Sequence, residues 1–276
     1  MKKLSVGSLC TGYGGLDMAV EHFFDAEMSW YSEVNSNCET LISQHWPDVE
    51  NIGDLTKVNF SKIQKVDILC AGYPCQPYSS AGKLKGENDE RAIFEYIGQA
   101  ISDIRPRWVV LENVSNHLTI GGPRVIASLA SIGYDCRWEI VRASDCEAPH
   151  KRARLFIVAT NSNRSTRTEP NFWNGDRKWE ERGINRGTRS DSKRSDFFGS
   201  FRKFEPAIRR WETIVNRVAP TPRIGNRINP LFVEFMMGLP ENFVTGRGLN
   251  KTAELSALGN GVVPQQALLA LERLSK

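Results

Sequence analysis

The 276-residue sequence predicts an α/β protein, in which a mostly parallel, doubly wound sheet carries a smaller, irregular domain. Apolar, strand-like runs alternate with helix-like segments over the first 160 residues, and this alternation stops after Thr160. The chain then becomes polar and rich in Arg, Ser, Asn and Gly, before apolar periodicity returns. We therefore expect a large domain formed by residues 1–160 and 252–276, and a small domain formed by residues 161–251.

The strand predictions depend on short apolar runs that are bounded by turn residues. These runs are Leu4–Cys10, Met28–Val34, Val66–Ala71, Trp108–Asn113, Tyr134–Val141 and Leu155–Ala159. Helical segments are predicted between them at Gly15–Phe24, Cys38–Trp46, Arg91–Asp103 and Arg124–Ile132. Apolar periodicity then returns at Leu231–Leu239 and at Val262–Leu274, and the latter is predicted as the final helix.

The composition excludes several classes of protein. No apolar run is long enough to span a bilayer, and residues 1–6 are predicted as the start of a strand rather than as a signal peptide. The six cysteines and four histidines are scattered, without the spacing of metal ligands or of a disulfide framework. We expect a cytoplasmic protein in a reducing compartment, with no metal site and no membrane partner.

The net charge of +4 is unevenly distributed along the chain. Residues 161–210 contain 13 Lys or Arg against seven Asp or Glu, whereas the remainder contains 23 against 25. A basic stretch of this kind is either a solvated, partly disordered insert or a phosphate-binding surface. Aromatic residues such as Trp173, Trp179 and Phe201 interleave with the charges, which favours a folded module that binds nucleic acid.

Cys75 is the candidate nucleophile. It lies in Pro74-Cys75-Gln76-Pro77, shortly after the strand Val66–Ala71, and the prolines stiffen the backbone around it. Ligands of open α/β sheets bind outside the carboxyl ends of the strands, which is where this cysteine is expected. The alternative is an ordinary buried cysteine, an interpretation that suits Cys70, inside the strand, better.

A glycine-rich turn follows the first strand and contains Gly12 and Gly14, which permit close approach of a ligand to the backbone. Glu33 ends the second strand, where nucleotide-binding sheets place a carboxylate that accepts ribose hydroxyls. Asp54 is expected to follow the third strand and could accept from an adenine amino group. Each acid alone would be interpreted as a surface residue in a loop, but their joint placement at successive strand ends favours a nucleotide site.

A carboxylate and two arginines mark the other end of the predicted site. Glu112 closes the strand Trp108–Asn113, and a carboxylate at the end of a buried strand is costly unless it is paired or used. Arg152 and Arg154 precede the strand Leu155–Ala159, and in an extended segment they would point to one side. They could therefore both face the site, although a basic cluster before a strand is more often a solvated turn.

Together these motifs resemble the DNA cytosine carbon-5 methyltransferases. The resemblance adds Glu-Asn-Val at 112–114 and a late Gly-Asn-Gly-Val-Val-Pro at 259–264, and it covers most of the first 160 residues and the C-terminal end. Residues 161–226 match no motif and correspond to the family's variable target recognition region. The resemblance implies a Rossmann-like S-adenosylmethionine-dependent methyltransferase sheet with a small target recognition domain.

The same resemblance implies catalytic roles. Cys75 would attack carbon 6 of a flipped cytosine, and Glu112 would hold the ring at nitrogen 3. Arg154, with Arg152 nearby, would bind the carbonyl oxygen of the base. Asn113 would hold the loop that carries Glu112.

It also implies two sets of binding residues. S-adenosyl-L-methionine would be bound by Cys10, Gly12, Gly14, Glu33, Val34, Asp54, Leu55 and Asn260. Double-stranded DNA would be bound by Gln76, Ser79, Lys83, Arg164, Arg167, Arg177, Lys178, Arg182, Arg186 and Arg189. The sequence departs from the family where Cys10 replaces an aromatic residue, so adenine stacking is expected to be weaker or supplied elsewhere. A second departure is His150, which replaces a glutamine.

Three alternatives stay open at this point. An RNA cytosine methyltransferase of the same fold would carry a Cys-Phe-Thr motif, which the sequence lacks, and a catalytically silent relative would have lost Cys75 or Glu112. A small-molecule enzyme would leave the basic segment unexplained. We expect a bacterial or phage enzyme that acts as a monomer on a target of about four to six base pairs. Whether it is paired with a restriction endonuclease stays undecided.

Overall fold

The computed structural model describes residues 3–74, 93–162 and 202–276. Seven strands form one sheet: β1 (Leu4–Leu9), β2 (Ala26–Ser32), β3 (Glu50–Asn51), β4 (Ile68–Gly72), β5 (Trp108–Val114), β6 (Tyr134–Val141) and β7 (Arg154–Asn161). Their order is β3-β2-β1-β4-β5-β7-β6. All neighbours are parallel except those of β7, which runs antiparallel to both β5 and β6.

The helices connect and cover these strands. They are α1 (Gly15–Phe24), α2 (Ser36–His45), α3 (Phe94–Ile104), α4 (His117–Ile120), α5 (Gly122–Ser131), α6 (Glu205–Ile214), α7 (Pro230–Met236), α8 (Lys251–Asn260) and α9 (Pro264–Leu274). A short hairpin, β8 (Arg223–Ile224) and β9 (Arg227–Ile228), lies between α6 and α7. Short 3₁₀ helices occur at Phe60–Lys62, Ala143–Cys146 and Arg202–Phe204.

Helices cover both faces of the sheet, as the alternation of apolar runs predicts. Leu69 and Ala71 of β4 pack on one face in a cluster that includes side chains of α3 and α5. Ile68 and Cys70 of the same strand pack on the other face, with side chains of α1 and α9. Successive side chains of a strand point to opposite faces, so a continuous apolar run produces a strand buried on both sides. The predicted α/β fold class is confirmed.

A third apolar cluster packs the C-terminal helices against the turn that follows β1. Trp211 of α6 is fully buried in it, and its indole Nε1 donates to the carbonyl of Phe235 at 2.8 Å. Tyr13 and Leu258 belong to the same cluster. Helix α6 was not predicted from the sequence, because its only buried residues, Ile208 and Trp211, are interrupted by charged residues.

Two further features concern only the residues that the structure describes. No helix among them is long and apolar enough to cross a membrane. No group of three His, Cys, Asp or Glu side chains in that part of the chain is placed to hold a metal ion.

Candidate active site

The turn between β1 and α1 is built from left-handed residues. Cys10, Gly12 and Gly14 have φ values of 53°, 62° and 86°. Glycine adopts this conformation without steric cost, which explains two of the three positions. A Cβ on Gly12 would meet nothing within 4 Å, so the turn borders open space there.

Glu33 ties this turn to the end of β2. One carboxylate oxygen accepts the backbone N–H of Gly12 at 2.8 Å, and the other accepts those of Val34 and Asn35 at 2.9 and 2.8 Å. A carboxylate offers about four acceptor positions, so Glu33 keeps capacity for a further donor. The carboxylate is therefore fixed at the carboxyl edge of the sheet and can still accept a ligand hydroxyl.

The next strand end adds a second acid and a second open glycine. Asp54 Oδ1 accepts the backbone N–H and the hydroxyl of Thr56 at 3.0 and 2.8 Å, and Lys57 lies 3.1 Å from Oδ2. The hydrogen bonds from Thr56 lower the pKa of Asp54 below its usual value, so it is an ionised acceptor. A Cβ on Gly53 would meet nothing within 4 Å, and the side chain of Val34 is 71% exposed.

These features fit S-adenosylmethionine. An adenosyl group has hydroxyl and amino donors, which the two carboxylates can accept. The two glycines border open space that leaves room for it, and the exposed side chain of Val34 offers it an apolar surface. Leu55 and Cys10 differ from this set. Leu55 is 4% exposed and packs in the apolar core. Cys10 is half-buried, and burial, together with the nearby Glu33, raises the pKa of its thiol to about 12. Cys10 is thus a neutral side chain at the base of the turn.

Glu112 and Arg154 form a buried ion pair at the same edge of the sheet. Arg154 Nε lies 3.0 Å from Glu112 Oε1, and Glu112 is 7% exposed. Burial raises the pKa of Glu112 above its usual value, whereas Arg154 and Arg152 act in the opposite direction. The carboxyl therefore takes up a proton more readily than an exposed glutamate, while its position is fixed by the guanidinium.

Asn113 joins the end of β5 to the chain that leaves β4. Its Nδ2 donates to the carbonyl of Tyr73 at 3.4 Å, and its Oδ1 accepts the backbone N–H of Val114 at 2.8 Å. The hydroxyl of Tyr73 lies 2.7 Å from Nε2 of the buried His117. Two buried contacts thus hold the backbone just before Pro74 and Cys75, and Cys75 itself lies outside the described residues.

Arg152 and Arg154 bind different partners. Arg152 has a φ of 34°, so the chain is not extended there and the two side chains do not follow simple alternation. The Arg152 guanidinium donates to the carbonyls of Gly259 and Gly261, on either side of Asn260. Arg154 binds Glu112 instead. The sequence placed both arginines at the site, but only Arg154 is in contact with the buried carboxylate.

A C-terminal segment, residues 259–266, crosses between the glycine turn and β7. The hydroxyl of the fully buried Tyr13 donates to the carbonyl of Val262 at 2.5 Å. Gln266 donates to the carbonyls of Val141 and Arg152 at 2.8 and 2.7 Å. A Cβ on Gly72 would lie 3.7 Å from Glu112 Oε2 and 3.8 Å from a methyl carbon of Val262. This segment therefore brings the turn, the end of β4 and the buried carboxylate together.

Several predicted residues have other placements. Asn260 ends α8 and is exposed, next to the two carbonyls that accept from Arg152. His150 Nε2 lies 2.8 Å from the carbonyl of Met236, so it contacts α7 rather than the carboxylate. The remaining predicted residues lie outside the described ones: Gln76, Ser79, Lys83, Arg164, Arg167, Arg177, Lys178, Arg182, Arg186 and Arg189.

Sequence reasoning missed Tyr13, Tyr73, His117 and Gln266. Tyr13 stands between Gly12 and Gly14, and an aromatic residue inside a glycine turn was a signal that something must pack against it. The other three are joined to the site by contacts across 40 or more residues, for which a single sequence offers no signal.

Comparisons with known proteins agree on the family. The family model of C-5 cytosine-specific DNA methylases matches residues 4–182. The chain is 31% identical over 162 residues to the Type II methyltransferase M.DsaV of Dactylococcopsis salina, a match that covers 57% of this chain and 46% of that protein. It is 31% identical over 167 residues to the orphan methyltransferase M.Rho11sI of Bacillus phage rho11s, which covers 57% and 33%. These matches span less than half the length of either relative.

The fold is similar to that of solved methyltransferases. The crystal structure of S. pombe Dnmt2 methyltransferase aligns with a TM-score of 0.65 and covers 99% of this chain and 100% of that chain. The sequence identity is 15%, so this likeness concerns the fold alone.

Proposed function

The chain belongs to the C-5 cytosine-specific DNA methylase family, and we propose that it methylates carbon 5 of a flipped cytosine in duplex DNA. The observation that supports this most directly is the buried pair of Glu112 and Arg154, 3.0 Å apart. The pair lies at the end of β5, beside the end of β4, from which the chain continues to Cys75. An acid and a cation are thus paired beside the strand end that leads to Cys75.

The chemistry requires such a combination. Carbon 5 of cytosine is a poor nucleophile, and addition of the Cys75 thiolate to carbon 6 turns the ring into an enamine. Nitrogen 3 takes a proton from the Glu112 carboxyl, whose pKa is raised by burial, while Arg154 donates to the carbonyl oxygen of the base. Once carbon 5 is methylated, water takes its proton, and the electron pair of that C–H bond re-forms the double bond between carbons 5 and 6. The sulfur–carbon bond breaks to return the Cys75 thiolate, and nitrogen 3 gives its proton back to Glu112.

S-adenosylmethionine supplies the electrophilic methyl group when it is bound. Glu33 would accept the ribose hydroxyls, Asp54 would accept from the adenine amino group, and Gly12 and Gly14 would let the cofactor approach the backbone. Asn260 would close the pocket from the C-terminal segment. These assignments depend on the open space at Gly12 and on the spare acceptor capacity of Glu33.

The residues predicted to bind DNA lie outside the described ones. A base inside a duplex cannot receive both a nucleophile and a methyl group, so it must be flipped into the pocket. We assign duplex binding to a target recognition domain, residues 161–251, with its basic segment, and cofactor binding and catalysis to residues 1–160 and 252–276. We further propose a monomeric enzyme that acts in the cytoplasm on a target of about four to six base pairs.

Methyl transfer from tritiated S-adenosylmethionine tests this function, with duplex DNA and transfer RNA as separate substrates. We expect label in DNA alone, located by bisulfite sequencing at cytosines of one short context. Cys75→Ser should abolish transfer while cofactor binding is kept. Cys136→Ser is the matched control, because burial raises the pKa of that half-buried thiol to about 11 and it lies on the edge strand β6. Label in RNA alone, or full activity of Cys75→Ser, would contradict the proposal.

A further inference from the structure

The hairpin of β8 and β9 is the most exposed described part of the C-terminal region. All six residues from 223 to 228 are exposed, and the isoleucines Ile224 and Ile228 are 52% and 54% exposed. Gly225 has a φ of 59° at the first position of the two-residue loop, which is the position that a type II′ turn reserves for glycine. A Cβ on Gly225 would meet nothing within 4 Å, so the tip of the hairpin borders open space.

The base of the hairpin is rigid, in contrast to its exposed tip. Asn229 is 3% exposed, and its Nδ2 donates to the carbonyl of Thr221 at 2.7 Å. Its backbone N–H donates to the carbonyl of Pro222 at 3.0 Å, and its Oδ1 caps α7 through the N–H of Leu231. An isolated two-stranded hairpin is marginal in water, so this one is held in place from its base.

The two faces of the hairpin carry the same chemistry. Arg223 pairs with Ile228, and Ile224 pairs with Arg227. Directly opposite residues of an antiparallel pair point to the same face, and neighbours along a strand point to opposite faces. Each face therefore presents one arginine and one isoleucine.

Within the described residues, the two arginines of the hairpin lack the carboxylate partners that neighbouring arginines have. Arg209 and Arg217 of the same region are paired with Glu212 and Glu234 at 2.9 and 3.5 Å. No carboxylate in the described part of the chain lies within ion-pair distance of Arg223 or Arg227, and the segment 223–228 contains no acid. Two cations on an exposed ribbon, without a carboxylate partner among the described residues, indicate an anionic partner.

We propose that this hairpin enters a groove of the DNA duplex, with Arg223 and Arg227 directed at the phosphates of its two walls. The major groove, about 12 Å wide, admits a two-stranded ribbon whose strands are about 4.8 Å apart. Arginine binds phosphate oxygens in a bidentate manner, and the isoleucines present apolar surface to base edges and thymine methyl groups.

The position of the hairpin fits this role, which rests on the proposed function. Helix α7 begins one residue after Asn229, and its seven residues span roughly 10 Å. At its far end the carbonyl of Met236 lies 2.8 Å from His150, four residues before Arg154. The hairpin is therefore one short helix away from the strand that carries the catalytic arginine, close enough to contact base pairs that flank the flipped cytosine.

The test is the salt dependence of DNA binding by the full chain, with a fluorescein-labelled duplex of random sequence as the probe. Each lost phosphate contact lowers the slope of log K against log salt by about 0.9, so Arg223→Gln with Arg227→Gln should lower it by about 1.8. We expect the affinity at low salt to fall on the order of tenfold, while Arg223→Lys with Arg227→Lys keeps the slope. Both side chains are exposed, so folding should be unaffected.

The matched control removes the same charge elsewhere. Lys62 and Lys65 are exposed and precede β4, at the edge of the sheet opposite to the site. Lys62→Gln with Lys65→Gln should leave the slope unchanged, and equal slopes for this control and the arginine variant would overturn the proposal. Methyl transfer by the wild type is measured separately. If the wild type transfers methyl groups and the arginine variant keeps the wild-type slope, only the proposed role of the hairpin is refuted. If the wild type transfers no methyl group, only the proposed function is refuted.

Discussion

Replacement of Gly261 by alanine tests whether the C-terminal segment is packed as the structure shows. A Cβ at this position would lie 1.8 Å from Cε1 and 2.4 Å from Cζ of Tyr13. The tyrosine ring cannot move away easily, because it is fully buried and also lies close to Gly15, where a Cβ would be 2.6 Å from Cε2. Overpacking of a core costs about 1–3 kcal/mol, and loss of the hydrogen bond from Tyr13 to Val262 costs about 1 kcal/mol. Gly261→Ala should therefore destabilise the protein by roughly 2–4 kcal/mol.

Gly259 provides a matched control two residues earlier in the same motif. It lies in α8, and a Cβ there would meet nothing within 4 Å. Alanine is favoured over glycine in a helix by up to about 1 kcal/mol, so Gly259→Ala should be neutral or slightly stabilising. The free energy of unfolding is measured for both variants by urea denaturation. If Gly261→Ala were as stable as Gly259→Ala, the close packing of Tyr13 against the C-terminal segment would be refuted.

Three further predictions concern the surroundings of the site. Arg152→Met should weaken S-adenosylmethionine binding in a calorimetric titration, because it frees the C-terminal segment. Arg154→Lys should mainly lower kcat instead. If each variant changed cofactor affinity and kcat equally, these separate roles of the two arginines would be contradicted. Burial lowers the pKa of His117 from 6.5 to about 4, so the folded protein keeps it neutral and should lose roughly 3 kcal/mol of stability as the pH falls through this range. His117→Gln should flatten that part of the profile of unfolding free energy against pH. Glu234→Gln should destabilise by about 3–5 kcal/mol in urea denaturation, because Arg217 would be left without its buried partner.

The central strands β4 and β5 could be predicted because they are buried on both faces. The run Val66–Ala71 corresponds to β4, shifted by one or two residues, and its continuous apolar character follows from packing on both sides. Helix α6 could not be found in the same way. It buries Ile208 and Trp211 in a region whose average composition is that of a polar loop, so its period is hidden among charged residues.

The candidate site could be predicted only in part, because a sequence shows where strands end but not which partners the side chains contact. Strand ends are visible in a sequence, so Glu33, Asp54 and Glu112 could be assigned to one edge of the sheet. The partner of each side chain depends on local backbone geometry instead. The left-handed conformation of Arg152 directs its guanidinium to the C-terminal segment, and nothing in the pattern of alternating residues indicates that turn.

The contact between Glu112 and Arg154 depends on the single strand that runs against the others. Arg154 opens β7 and pairs with Val114, two residues beyond Glu112 on β5, so both functional side chains share one face of the sheet as diagonal neighbours. In a parallel strand the first residue would lie at the amino edge, about 26 Å away over eight residues. Because β7 is antiparallel, its start lies at the carboxyl edge, where β4 leads towards Cys75. An arginine that begins one strand is therefore brought into contact with a carboxylate near the end of its neighbour.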